Sequence, residues 1–176
     1  DFDPLSVSLA EIPGVIAVTP QVEGQVMATR GNTNLGAVVR GVRWSDLAAR
    51  RLLWNALSDE AIAGFRDEGG LLVGKSMAFK MGLKVGDTIT LTSARGEATA
   101  FGTVPTRRAY RIAAIFDVGM HEYDSSFIFM PFDVAGKLFG MYDRASGLEI
   151  YTADPQNITV IRTLVADKIG RELRAF

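Results

Sequence analysis

The sequence predicts an α+β fold, and three patterns support this prediction. Two strand-like segments open the chain, at residues 15–29 and 35–42, and one regular helical pattern closes it from Asp154 onward. Between these ends, strand and helix patterns mix without the strict βαβ order of a doubly wound parallel sheet. We therefore predict an α+β fold rather than a doubly wound one.

The first half of the chain begins with a long strand and continues into helices. "VIAVTPQVEGQVMAT" alternates well enough for a strand, in which Pro20 indicates an edge or a bulge. "RGNTN" predicts a turn and "LGAVVRGV" the returning strand. Residues 44–66 then change to a helical pattern, within which residues 58–60 predict the start of a second short helix.

The middle of the chain predicts short elements that end at glycines. "GGLLVG" is a brief buried strand, and "KSMAFKMG" is a short helix that Gly82 can end in a left-handed conformation. "DTITLTS", "RAYRIAAIF" and "SSFIFMP" predict strands, the last two joined by a loop, "DVGMHEYD". "FDVAGKLFG" predicts a helix closed by Gly140, and "SGLEIYT" a final strand.

The last element carries the clearest helical signal in the chain. Asp154 is a good N-cap, and Pro155 stands at the first helical position. Five apolar residues recur at helical spacing and predict a buried stripe. They are Ile158, Ile161, Val165, Ile169 and Leu173.

The chain length fits one domain, or two small lobes that share a core. We expect the first hairpin and the terminal helix to pack together, so that residues 1–43 and 107–176 form one lobe and residues 44–106 an inserted second lobe. The chain does not begin with Met and stops inside a helical pattern, which we interpret as an excised segment.

Composition removes several classes of function. The formal net charge of −1 and the pI near 5.9 give no electrostatic reason to expect nucleic acid. The absence of cysteine excludes a disulfide framework, a thiolate metal site and a cysteine nucleophile. No segment approaches the roughly 20 apolar residues that span a bilayer.

A linker of unusual length separates two of the predicted strands. Hairpin loops usually take about two to five residues, and "ARGEATAFGTVPT" between "DTITLTS" and "RAYRIAAIF" is longer. Phe101 has little core within reach there, and exposed aromatic residues are typical anchors of interfaces. Arg107 and Arg108 at the foot of this arm fit either a solvated strand end or a basic pad beside a docking site.

The segment "GGLLVGKS", residues 69–76, matches the pattern of a phosphate-binding P-loop. That mechanism needs a strand before the first glycine and a loop of exposed backbone N–H groups. Here a helical pattern precedes Gly69, and Leu71, Leu72 and Val73 favour a buried strand. We therefore interpret the segment as a buried strand that leads into a helix, and predict no nucleotide or other cofactor.

His121 is the single histidine, with Glu122 and Asp124 close by in sequence. A metal or acid–base site is conceivable there. A loop whose backbone is held by Asp124 accounts for these residues better. No serine has a histidine and an acid at a recognisable spacing, so we predict no catalytic residues, no metal and no enzyme activity.

Three segments carry a resemblance to a known family. "LLVGKSMAFKMGLKVGDTITLTS" resembles the strand, helix and turn of periplasmic permease domains. "VPTRRAYRIAAIFDVGMHEYDSSFIFMP" is similar to the LolC/LolE lipoprotein-releasing permeases, above all in the motif from Gly119 to Asp124. "PGVIAVTPQVEGQVM" and "GAVVRGV" resemble the opening strands of the same MacB-like domain.

The resemblance implies a location and a set of partners. It implies a domain on the periplasmic face of the bacterial inner membrane, with a porter-like lobe and an inserted lobe, in an ABC-transporter permease. The implied partners are the periplasmic lipoprotein chaperone LolA, a second permease subunit (the same chain or a LolC/LolE paralogue), a cytoplasmic LolD-type ATPase and the lipoprotein substrate. ATP hydrolysis is then expected in the separate ATPase.

The resemblance also suggests what the arm does. In LolC-type subunits a protruding β-hairpin, the hook, enters the chaperone, whereas LolE-type subunits do not recruit it in this way. By position the hook corresponds to about Ser93–Pro105. The alternative is another MacB/FtsX-type permease, for efflux or mechanotransmission, with a different partner. The expected partner-binding residues are Ala98, Thr99, Ala100, Phe101, Gly102, Val104, Pro105, Arg107 and Arg108.

Overall fold

The computed structural model describes residues 2–99 and 102–172, which form seven strands and eight α-helices. The strands are β1 (Val15–Arg30), β2 (Thr33–Val42), β3 (Leu71–Gly74), β4 (Thr88–Thr99), β5 (Gly102–Phe116), β6 (Phe127–Pro131) and β7 (Gly147–Thr152). The helices are α1 (Asp3–Ala10), α2 (Trp44–Leu47), α3 (Arg51–Asn55), α4 (Asp59–Glu68), α5 (Lys75–Met81), α6 (His121–Ser126), α7 (Phe132–Phe139) and α8 (Ile158–Glu172), the last preceded by a 3₁₀ turn at Pro155–Asn157.

The strands form one mixed sheet in the order β2-β6-β3-β5-β4-β1-β7. An additional pairing between β2 and β1 closes the first six strands of this order into a ring. The β2–β6 and β3–β5 pairs are parallel, and the other pairs are antiparallel. A mixed sheet with interspersed helices confirms the predicted α+β class.

The length of β1 makes this closure possible. Residues from Gln21 to Arg30 pair with β2 along one edge of β1. On its other edge, β7 pairs with the first part of β1 and β4 pairs with Met27–Thr29. A strand of 16 residues is therefore long enough to pair with three other strands.

Two hydrophobic clusters lie on the two faces of this sheet. The larger cluster takes one or more buried residues from each strand of the ring and is completed by α5 and α7. The smaller cluster lies between β3, β5 and β6 and the short helices α2, α3 and α4. Burial of this apolar surface is the main favourable contribution to folding. Representative residues are Val22, Val39, Leu71, Leu91, Ile112 and Ile128 in the larger cluster and Leu53, Phe65, Phe116 and Phe129 in the smaller one.

Two glycines let α7 approach the sheet closely. A Cβ atom on Gly24 would lie 2.5 Å from the Phe139 ring, and one on Gly41 would overlap the Cβ of Ala135. Any side chain at either position would push α7 away from β1 and β2. These glycines therefore set the distance between the helix and the sheet.

Most predicted boundaries agree with the structure. Ser58 caps α4 by accepting a hydrogen bond from the backbone N–H of Ala61. Gly82 and Gly140 end α5 and α7 with positive φ angles, as expected. At the last helix, Asp154 accepts hydrogen bonds from Gln156 and Asn157.

Other predictions are wrong in detail. The segment from Trp44 to Arg66 forms three short helices, and α1 was not predicted. The joining loop "DVGMHEYD" contains most of α6. In the predicted stripe of α8, Ile161 is buried against Gly14 but Ile158 is exposed, and Leu173 lies outside the described residues.

The division into residues 1–43 with 107–176 and an inserted lobe of 44–106 stays a prediction. Strands of the two ranges pair with each other in the described sheet. β4 pairs with β1, and β3 pairs with β5 and β6. A common sheet thus joins both ranges.

Candidate docking surface

The predicted linker is part of an extended hairpin made by β4 and β5. Both strands contain β-branched residues, among them Thr88 and Ile89 in β4 and Val104 and Ile112 in β5, which favour extended backbone. Pairing continues from Thr88 with Arg111 to Thr99 with Gly102. Within the described pairings, positions 93–99 and 102–106 pair only with each other, so this part of the hairpin extends beyond the ring. We call residues 93–105 the arm.

The arm is irregular at its foot. Ser93 pairs with Thr106 and Glu97 with Val104, so three residues of β4 stand opposite Pro105 alone. Extra residues on one strand bend a hairpin and increase its twist, and proline has no N–H to give to the ladder. The buried Ser93 hydroxyl donates a hydrogen bond of 2.7 Å to the carbonyl of Arg95, which holds this bulge.

The structure describes part of the predicted partner-binding set on the arm. Val104, with 53% of its surface exposed, and Pro105 face solvent. Gly102 has a φ angle of +117°, a conformation that favours glycine. The backbone of Ala98 and Thr99 forms the last described pairs with β5. Ala100 and Phe101 lie outside the described residues.

Arg107 and Arg108 lie next to each other in β5, where successive side chains point to opposite faces. Arg107 stands opposite Thr92, which in turn stands opposite Met27 of β1. Arg108 stands on the other face, opposite Leu91. Both side chains are exposed, but they leave the strand in opposite directions.

Arg108 lies on the same face of β5 as Tyr110, which packs against the larger cluster. Burial raises the pKa of Tyr110, two residues further along β5, and the positive charge of Arg108 partly opposes that effect. The hydroxyl of Tyr110 is buried without a hydrogen-bond partner within the described chain. Arg107 is therefore the arginine on the outer face.

A groove opens on that outer face, beside the foot of the arm. Its volume is about 660 Å³, and Met27, Gly36, Val38, Ala94 and Pro105 contribute to its lining. Met27 has 48% of its surface exposed, and no atom lies within 4 Å of a Cβ built on Gly36. Methionine adapts its shape readily to a partner surface. Ala94 and Pro105 of the arm line this groove, and Arg107 stands opposite Thr92, which also lines it. We call the groove, the arm and Arg107 the docking surface.

One residue of the groove, Met27, departs from the alternation of apolar and polar residues along β1. Val26 and Ala28 are buried, whereas Met27 between them faces outward. In a strand with one buried face, alternation predicts a polar residue at position 27. An apolar residue out of phase with the alternation indicates an exposed apolar site.

The predicted role of Asp124 is confirmed. Its buried carboxylate accepts a hydrogen bond of 3.0 Å from the N–H of Val118, which fixes the turn between β5 and α6. No group of three or more His, Asp or Glu residues with the geometry of a metal site occurs among residues 2–99 and 102–172. His121 and its neighbours begin α6, and Asp124 anchors this helix to the turn.

The P-loop-like segment has the predicted buried strand. Gly69 ends α4, β3 is buried at all four positions, and Lys75 begins α5. Lys75 Nζ donates a hydrogen bond of 2.6 Å to Asp117. This bond and the backbone N–H of Gly119 lower the pKa of Asp117 below its ordinary value. The lysine therefore connects the start of α5 to the turn after β5.

Comparison with known proteins identifies similar domains. Residues 1–167 match the family model described as the MacB-like periplasmic core domain. The lipoprotein-releasing system transmembrane protein LolC of Neisseria meningitidis serogroup B is 25% identical over 164 residues, which are 90% of this chain and 39% of that protein. LolE of Haemophilus influenzae is 26% identical over 149 residues, 84% of this chain and 35% of its own length.

Solved structures show the same fold at low sequence identity. The extracellular domain of the noncanonic ABC-type transporter YknZ from Gram-positive bacteria has a TM-score of 0.58 and 14% identity, over 96% of this chain and 83% of that one. The periplasmic region of MacB from Actinobacillus actinomycetemcomitans has a TM-score of 0.54 and 12% identity, over 93% and 70%. The described helices include none long and apolar enough to cross a membrane.

Proposed function

Because this chain belongs to the family of MacB-like periplasmic core domains, we propose that it is the periplasmic domain of a lipoprotein-releasing permease of the LolC/LolE type. In this proposal it docks the periplasmic lipoprotein chaperone LolA through the arm, without catalysis of its own. The observation that carries the proposal is the contiguous arm, groove and Arg107.

The arm has the chemistry of a peptide-like docking element. Within the described pairings its two strands pair only with each other, so both outer edges present backbone groups that a partner strand can bind. Val104 and Pro105 supply exposed apolar surface, and Phe101 adds an aromatic anchor by sequence. The groove then receives the part of the partner that lies beside the foot of the arm.

Charge on the docking surface favours encounter more than affinity. Arg107 stands exposed on the outer face, where it contributes a positive charge near the apolar groove. Complementary charge at the rim of an interface raises association rates and selects partners. We expect LolA to present acidic groups to Arg107.

The relatives support a proposal for the rest of the assembly. This chain spans 39% of the Neisseria protein and 35% of the Haemophilus one. We propose that the whole protein pairs with a second permease subunit, the same chain or a LolC/LolE paralogue, and with a LolD-type ATPase on the cytoplasmic side. Lipoproteins are the proposed substrate. The periplasmic region of MacB shares the fold. The alternative proposal is a MacB/FtsX-type permease, for which the partner would differ.

The experiment that tests this function compares LolA binding by the wild-type chain and by a Gly-Ser replacement of residues 94–104. The control is Val85→Ser, an exposed apolar residue in the turn before β4, at the end of the hairpin away from the arm. We expect binding by wild type and control, and loss of binding with the arm while circular dichroism shows the fold unchanged.

Two outcomes would overturn the docking of LolA through the arm. Binding that survives replacement of the arm would place the LolA site elsewhere on the domain. No binding by the folded wild-type chain would indicate a LolE-like subunit or another permease branch.

A further inference from the structure

A cavity in the described part of the chain lies away from the arm. It has a volume of about 730 Å³ and opens between the start of β1, β7, α3 and α6. Most of its lining is apolar and includes Leu53, Phe116 and Phe129, whose side chains are buried. This size and lining are typical of small-molecule sites.

Exposed apolar residues surround the mouth of the cavity. Ile16 has 65% and Leu52 61% of its surface exposed, and Met120 on a third side is also exposed. The three residues come from β1, α3 and the segment before α6. Together with the buried lining they provide a continuous apolar path from the surface inward.

Arginines are the second component of this cavity. Arg50 is 7% exposed, and Arg40 is similarly enclosed, yet both line the cavity. Arg50 forms an ion pair with Glu149, which also lines the cavity, and donates to the carbonyl of Asp46. Its Nε atom is buried and has no hydrogen-bond partner within the described residues. A buried guanidinium donor without a partner is costly, so this arginine retains unused donor capacity.

Arg40 is held rigidly at the same cavity. It donates to Glu23 at 2.6 and 2.8 Å and to the hydroxyl of Tyr123 at 3.3 Å. Burial alone would lower the pKa of Arg40, but the hydrogen bond and the charge of Glu23 outweigh that effect and raise it. The guanidinium is therefore charged and oriented before any ligand arrives.

The charges around the cavity do not balance. Arg51 at the edge of the cavity is exposed and has no carboxylate within ion-pair distance in the part of the chain that the structure describes. Glu23 compensates Arg40 and Glu149 compensates Arg50, which leaves the charge of Arg51. The attraction of an anion to the enclosed Arg50 is strengthened because the effective dielectric constant there is lower than in water, whereas solvent screens the attraction to the exposed Arg51.

We propose that this cavity binds an amphiphilic anion, that is, an apolar chain that ends in a carboxylate or a phosphate. The acidic group lies at Arg50 and Arg51, where it takes charge-assisted hydrogen bonds. The chain lies along Leu52, Leu53 and Phe129. A free fatty acid and a phosphate-bearing lipid both have this chemistry, and the proposal does not depend on docking of LolA.

The test is calorimetric titration of the chain with dodecanoate below its micelle concentration. Dodecyl phosphate, dodecanol and butyrate are titrated in parallel, since they change the acid, remove the charge and remove the tail, respectively. We expect saturable binding of one or both dodecyl acids and binding at least about tenfold weaker for dodecanol and butyrate. The stronger of the two acids distinguishes a carboxylate ligand from a phosphate ligand.

Matched double variants locate the site. Arg50→Gln/Glu149→Gln removes both members of the buried pair, so no unpaired charge remains buried. Arg111→Gln/Glu68→Gln removes the same two charges from an exposed pair outside the cavity. We expect affinity for dodecanoate to fall about tenfold or more in the first variant and to stay unchanged in the second.

A second pair of variants covers the case in which the buried double variant does not fold. Leu52→Gln changes the exposed apolar mouth, and Val7→Gln is its control on α1. We expect only Leu52→Gln to weaken binding. The proposal fails if neither dodecyl acid saturates the wild type, if dodecanol binds equally well, or if the folded cavity variants bind like the wild type. The chain without its arm should bind dodecanoate normally, which separates this proposal from chaperone docking.

Discussion

At the scale of single residues, the contact between α7 and the sheet depends on the absence of a side chain at Gly24 and Gly41. Both positions lie within regular strands, where glycine gives no packing surface and costs conformational entropy. The presence of glycine at both positions is explained by α7, because Phe139 and Ala135 occupy the space that a side chain would need. Glycine in a strand thus marks close approach of another element.

This explanation predicts that a glycine-to-alanine substitution changes the free energy of unfolding differently at two positions of β2. Gly41→Ala places a methyl group against Ala135, and we expect a loss of about 1–3 kcal/mol in the free energy of unfolding, as for other overpacked cores. Gly36→Ala places it in open space and should leave stability unchanged or raise it by up to about 1 kcal/mol. Urea denaturation of both variants measures the difference. Equal effects at the two positions would contradict the packing argument.

The turn after β5 gives a second prediction at the residue scale. The hydrogen bond from Lys75, followed by that from the N–H of Gly119, lowers the pKa of Asp117. A lowered pKa means that the pair adds stability above the pKa of the unfolded chain, and that this stability is lost as the pH falls through the folded pKa. We expect Lys75→Gln to raise the pKa of Asp117 toward its ordinary value.

NMR titration of the side-chain carboxyl carbon of Asp117 measures that change. Lys80→Gln on the same helix is the control, because Lys80 makes no ion pair with Asp117. An unchanged pKa of Asp117 in Lys75→Gln would show that the lysine does not hold this carboxylate in solution.

At the scale of elements, the arm combines a regular ladder with a bulge at its foot. The bulge orients the distal pairs relative to the ring, and Ser93 and Pro105 fix it from the two strands. The same bulge brings Ala94 and Pro105 to the edge of the groove that contains Met27. Docking through this surface therefore depends on where the arm points, as well as on which residues it carries.

The aromatic residue of the arm is expected to provide much of the docking energy. Phe101→Ala should weaken LolA binding by about 1–3 kcal/mol if this side chain is an interface anchor, and should leave folding unchanged. Phe79→Ala is the matched control, because Phe79 on α5 is 87% exposed and lies at the far end of β4 from the arm. Titration calorimetry with LolA measures both. Equal losses for the two variants, or none for Phe101→Ala, would remove Phe101 from the interface.

At the scale of the whole molecule, sequence patterns identified the class of fold and most of its elements, but not the closure of the sheet. Alternation and capping are local, so they located β1, β3 and the ends of α4, α5 and α7. The hairpin of β1 and β2 is local, but closure also requires β1 to pair with β4 and β2 to pair with β6. These partners lie far apart in sequence, so no local pattern reveals the ring. The same limit applies to function. The arm was predictable from the length of its linker, whereas the groove beside the arm and the cavity that Arg50 lines are formed by segments that meet only in the folded chain.

The ring predicts how the whole chain unfolds. Strands β3 and β4 belong to the predicted inserted lobe, yet they pair with β1, β6 and the part of β5 from residue 107 onward, which belong to the other lobe. Separating the lobes would therefore break four pairings of the ring, β6–β3, β3–β5, β5–β4 and β4–β1. We therefore expect one cooperative transition, as for other small domains that share a single core. Fluorescence of Trp54, which packs in the cluster under α2–α4, reports on residues 44–106, and far-ultraviolet circular dichroism reports on the whole chain. The two urea curves should coincide in midpoint and slope, with Trp44→Phe used to isolate the signal of Trp54. Separated midpoints would instead show that the inserted lobe unfolds independently of the rest of the molecule.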